Sequence, residues 1–124
     1  MMPKKIRIFV NDVVLDAELN ETDTAQAIWD ALPIEARGNL WGDEIYFSIP
    51  VKIEPESIQD VVERGDLAYW GPGSAFCIFY GPTPASRGNE VRPASPVGVF
   101  GKIAGDYLSL KSIRSSPKVR IEKV

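Results

Sequence analysis

The chain has 124 residues, 44% hydrophobic and 25% charged, with a net charge of −3. That length and balance fit one globular domain spanning 1–124, and scattered Lys and Arg at a pI near 5.0 argue against a nucleic-acid or membrane surface. Histidine is absent and Cys77 is the sole cysteine, so no Ser-His or Cys-His pair, no histidine metal site and no internal disulfide can form.

The first residues, MMPKKIRIFV, lack the apolar run of a signal peptide. No window approaches the ~20 apolar residues of a membrane span. The expected setting is the cytoplasm, with no membrane partner. In KIRIFV, Ile6, Ile8 and Val10 alternate with Arg7 and Phe9; in VVLDAEL, Val13, Leu15, Ala17 and Leu19 alternate with Asp16 and Glu18. Asn11 and Asp12 between them tolerate positive φ, which predicts a β-hairpin.

TDTAQAIWDALP predicts the one clear helix. Ala25, Ile28, Trp29 and Leu32 form an apolar stripe, Asp23 and Gln26 have the spacing of a capping box, and Pro33 stops the helix. Period two then returns in DEIYFSIPV, where Ile45, Phe47, Ile49 and Val51 oppose Glu44, Tyr46 and Ser48. IQDVVER fits a strand or a helical turn. DLAYW, AFCIFY, PVGVFGKI and KVRIEKV have strand composition, and DYLSLKSI fits a short helix capped by Asp106. Strand signals at this density predict an all-β, mostly antiparallel, closed barrel with one or two short helices.

Motifs for chemistry are sparse. Asp43 and Glu44 are adjacent, so a strand points them to opposite faces. Asp66 and Asp106 follow glycines and fit turns, with no metal-loop signature. GVFGKIAGD is no phosphate loop, because Pro96 holds the position of its first glycine and Ile103 that of its Ser/Thr. No metal and no cofactor are expected. Parity singles out an outward row instead. If Phe47, Phe76, Ile78 and Tyr80 face inward, then Glu44, Tyr46, Ser48, Trp70, Cys77 and Phe79 face outward. Leaving such rings in water forfeits about 25 cal/mol per Å². Either a helix covers this row or it forms a groove for a ligand. Cys77 itself reads as a small strand residue, with no base or cation of the kind that activates a thiolate beside it in the sequence.

WGDEIYFSIPV, GDLAYWGPGSAFCIFYGPTP and ASPVGVFGKIAGD together resemble the small microbial cyclophilin-like family. The resemblance implies a closed, eight-stranded cyclophilin-type barrel capped by a helix; the family brings no established activity. True cyclophilins isomerise prolyl bonds with a strand arginine and a proline pocket that includes a histidine. In YFSIP, Phe47 or Ser48 stands where that arginine is expected. In Gly73-Ser74-Ala75-Phe76-Cys77-Ile78, Ala75 and Cys77 replace the glutamine and the pocket phenylalanine. The scaffold is therefore expected without the isomerase site, unless Arg64, Arg87 or Arg92 reaches the groove from a loop. Three functional readings follow. The first is a non-catalytic module binding a small molecule or an extended peptide in the outer groove, with Glu44 selecting a cationic or hydrogen-bond-donating group. The second is a regulatory or structural subunit whose groove a protein partner buries. The third is a weak prolyl isomerase with a rearranged site. The long segment TPASRGNEVRPASP has a length often tied to function, or is a surface excursion.

Overall fold

The computed structural model describes residues 4–124. Its elements in chain order are β1 (Lys5–Val10), β2 (Val13–Leu19), α1 (Asp23–Ala31), β3 (Ile34–Arg37), β4 (Asn39–Leu40), β5 (Glu44–Ser48), β6 (Asp66–Trp70), β7 (Ala75–Phe79), β8 (Gly98–Ile103) and β9 (Lys118–Lys123). Single 3-10 segments cover Gly71–Gly73 and Tyr107–Ser112.

The strands make one sheet in the order β3-β9-β1-β2-β8-β6-β7-β5-β4. Its two end strands, β3 and β4, are consecutive in the chain and separated by Gly38 alone. One short stretch thus pairs with β9 through its first half and β5 through its second, which nearly closes the barrel. Gly38 donates its N–H to Pro117 O at 2.8 Å, and Ser116 Oγ donates to Gly38 O at 2.9 Å. A Cβ on Gly38 would sit 3.0 Å from Ile45 and 3.2 Å from Pro117. Only glycine fits this seam without displacing its neighbours.

The count of strands is thus nine among the described residues, against the eight expected. IQDVVER supplies none of the nine, while IEARGNL supplies two, β3 and β4. IEARGNL becomes strand because the free edges of β9 and β5 offer it unpaired backbone groups.

The β1–β2 hairpin forms as read, with Asn11 at φ 52° in its turn. Helix α1 also forms, but its cap is Thr22 and not Asp23. The Thr22 side chain accepts from Ala25 N at 3.1 Å, while Gln26 bonds Asp30 one turn on. No capping box forms: the residue three beyond the Thr22 cap is Ala25, whose N–H the Thr22 hydroxyl already takes, and it has no polar side chain to reach back to the cap. Leu32 before Pro33 is extended, which ends the helix. IQDVVER is neither strand nor helix; it makes isolated bridges, Gln59 to Val97 and Val62 to Val91. DYLSLKSI is 3-10, with Asp106 capping Leu108 N at 3.1 Å.

Two apolar clusters lie on opposite faces of the sheet. The main core holds Ile6, Ile8, Phe47, Phe76, Ile78, Tyr80, Phe100 and Ile121, with Ala25 and Ile28 of α1 packed onto it. Phe76 anchors it, stacked on Phe47 at 5.2 Å and edge-on to Phe100 at 4.9 Å. Phe100 reaches this core through a bulge: Leu67 pairs with Gly101 but Ala68 with Val99, leaving Phe100 as the extra residue. The second cluster is Val62, Ala68, Ala75, Cys77, Phe79, Val91 and Val97. It lies on the outer face of β5, β6 and β7.

Candidate functional site

What lies over the outer face is a loop. The helix is spent on the main core. The segment after β7 runs back across the sheet, donating from Val97 N to Gln59 O at 3.1 Å and accepting from Val62 N at Val91 O, 2.9 Å. Its base is stapled internally. Ser86 Oγ accepts from Thr83 N at 2.9 Å and Arg92 N at 3.1 Å, and Thr83 Oγ1 donates to Arg92 O. Val91 and Val97 thereby cover Phe79 and Cys77, which are almost wholly buried.

The cover is incomplete. A pocket of about 250 Å³ remains between it and the sheet, lined by Trp41, Glu44, Tyr46, Trp70, Pro93, Ala94 and Val97. Each wall has a local cause. Glu44 and Tyr46 are outward residues of β5, two apart on one face. Trp41 precedes a tight turn closed by Trp41 N to Glu44 O at 3.0 Å. Trp70 ends β6, and the Gly71–Gly73 turn folds beneath its ring. A Cβ on Gly73 would stand 2.9 Å from the indole Cε3, so the WGPG sequence is what lets the ring lie there. The indole Nε1 donates to Ser95 Oγ at 2.6 Å, tying the roof to the floor.

Glu44 is the only charged residue of the lining. It is buried, at 5% exposure, and the donor beside its carboxylate is the Cys77 thiol, a weak one. Burial pushes its pKa up to about 7, and contact with the Cys77 thiol offsets this only in part. The thiol is itself driven well above its usual range, first by burial and then by the Glu44 charge. Cys77 is therefore a protonated, sequestered thiol and not an activated one. Asp43, the neighbour of Glu44, pairs elsewhere, with Lys111 Nζ at 2.9 Å.

Of the six residues singled out by parity, Glu44, Tyr46 and Trp70 meet in this pocket. Cys77 and Phe79 lie beneath the cover, and Ser48 stands apart, exposed and donating to Gly73 O at 3.0 Å. Strand parity does not reach the aromatic Trp41, nor Pro93, Ala94 and Val97. Trp41 lies outside any strand pattern, and nothing local in the loop says which of its residues turn inward. No arginine lines the pocket: Arg64 donates to Asn89 O, and Arg92 pairs with Glu90 at 2.5 Å. Of the two residues that stand where the isomerase arginine is expected, Phe47 is buried in the main core and Ser48 is exposed outside the pocket. Among the described residues no three Cys, Asp or Glu side chains are grouped to hold a metal ion, and no helix is long and apolar enough to cross a membrane.

Fold and site together define a small antiparallel barrel with an aromatic pocket on its outer face, separate from its core. The cyclophilin-like family model matches residues 4–122, and the chain belongs to that family. The solution structure of a hypothetical protein from Archaeoglobus fulgidus is similar, at 42% identity and a TM-score of 0.82, covering 98% of this chain and 95% of that one. No functionally curated protein matches.

Proposed function

We propose that the protein is a non-catalytic binding module that takes a small ligand, or one side chain of an extended peptide, in the outer-face pocket. The observation that carries this reading is the Glu44 carboxyl, buried at the floor of a preformed aromatic pocket with only the weak thiol donor of Cys77 beside it. Buried polar groups are ordinarily partnered, and an unpartnered one costs stability. A cationic or hydrogen-bond-donating group on a ligand would compensate it. The pocket has few polar groups and mostly apolar walls, the usual balance of a small-molecule site. At about 250 Å³ it falls below the roughly 300–1,000 Å³ of drug-sized sites, so the bound group is small. Prolyl isomerisation is not part of the proposal, because the lining carries no arginine to bond the prolyl nitrogen.

A fragment screen by thermal shift and amide NMR tests it. Binders are expected to perturb Trp41, Tyr46 and Trp70, and Tyr46→Ala and Trp70→Ala are expected to abolish their effect. Binders that act equally on both variants would overturn the reading.

A further inference from the structure

Resting on that pocket reading, we propose a ligand class: the pocket recognises a methylated ammonium group, held by Trp41, Tyr46 and Trp70 around the Glu44 carboxylate. Three aromatic side chains and one carboxylate share a single small pocket, and no cationic side chain lines it. Aromatic faces attract cations, most strongly where water is excluded, and Trp is the best of them. Lys111, beside Asp43, and Arg92, next to the lining Pro93, are each held by another carboxylate, Asp43 and Glu90.

Donor counting narrows the class. A primary ammonium brings three N–H donors and a guanidinium five, each needing an acceptor once buried. The lining side chains offer acceptors only at Glu44 and Tyr46, since Trp70 donates and its partner Ser95 is part of the roof. Both lie on β5, and the rest of the wall, Trp41, Trp70, Pro93, Ala94 and Val97, offers no side-chain acceptor, so N–H groups of a primary amine or guanidinium that face it lose their water without a partner. A methylated ammonium carries the charge with one donor or none, and its methyl groups pack against the rings, Pro93 and Val97. A neutral apolar group would fill the same space but leave the carboxylate uncompensated.

The source of the group is either a free quaternary amine or a methylated lysine side chain in an extended peptide. Both present the same head, and the half-open roof admits either.

The test uses matched pairs on the wild-type protein, one differing in charge and one in methylation. Tetramethylammonium and choline are titrated by amide and indole NMR against 3,3-dimethylbutan-1-ol, which replaces the choline nitrogen with carbon. N-acetyl-trimethyllysine amide is compared with N-acetyl-lysine amide. The cations are expected to shift the Trp41 and Trp70 indole resonances and to bind about tenfold tighter than their partners. Glu44→Gln is expected to erase most of that preference while leaving the neutral isostere unchanged. Binding by either the free cations or the trimethyllysine supports the inference, and the tighter of the two names the source. Equal binding of choline and its neutral isostere overturns the charge inference and leaves the pocket reading standing. No indole shift with any cation also overturns it, while the fragment screen tests the pocket reading separately.

Discussion

The indole of Trp70 and the hydroxyl of Ser95, twenty-five residues apart in the chain, are joined by a 2.6 Å hydrogen bond that links the barrel wall to its cover. Ser95 lies in a segment with no helix or strand of its own. Its position rests on this bond, on the Gln59–Val97 bridge and on the burial of Val91 and Val97.

Ser95→Ala is expected to cost about 1 kcal/mol in urea unfolding, the usual worth of one neutral hydrogen bond. The local effect is larger than the global one. Amide exchange at Val97, which donates to Gln59 O, is expected to accelerate while that of Ile8 in the main core stays at the global rate. Uniform acceleration would show that the cover does not open independently.

Glu44 makes stability depend on pH. Its folded-state pKa of about 7 lies above the ordinary 4.5, so the native protein holds the proton more tightly than the unfolded chain does. The contribution is full below the ordinary value and is lost as pH rises toward the folded value. That difference corresponds to roughly 3 kcal/mol at most. Asp16, Glu56 and Glu90 shift the opposite way and buried Asp66 the same way, so the comparison with Glu44→Gln isolates this one. The variant is expected to match wild type near pH 4.5 and to exceed it by up to that amount near pH 8, measured by chemical denaturation. A constant difference across the range would remove Glu44 as the cause.

Gly38→Ala tests the barrel seam. The added methyl meets Ile45 at 3.0 Å, Pro117 at 3.2 Å and Val119 at 3.4 Å, all within well-packed surroundings. Overpacking of this kind costs typically about 1–3 kcal/mol. The loss is expected in the denaturation midpoint, with protection falling first at Arg37–Leu40.

Cys77 is buried at 1% exposure, and its thiol is held protonated. An aromatic disulfide reagent is expected to label it very slowly in the native protein at mild alkaline pH and fully in denaturant. A ligand seated over Glu44 is expected to slow labelling further, because access to Cys77 requires the cover to lift. Fast native labelling would show that the outer face is open in solution.

Much of this fold is legible in the residues alone. Alternation in KIRIFV and VVLDAEL assigns a hairpin and its buried face, because a pleated strand sends successive side chains to opposite sides. The same parity separates Phe76 and Ile78 in the core from Cys77 and Phe79 outside it. Pro33 marks the end of α1 through a local clash. These are short-range rules, and short-range rules act on neighbours in sequence.

Three things were decided only by the tertiary structure. IEARGNL is strand because two distant edges need a partner; the alternation of Ile34 and Ala36 with Glu35 and Arg37 is too short to assign it alone. The cover is a loop, because Val91 and Val97 meet the outer face only once the chain has turned back over it. The pocket unites Trp41 and Glu44 with Trp70 and Pro93. Sequence determined which side chains leave the core. What they meet outside depends on contacts between segments far apart in the chain, and those exist only when the sheet has closed.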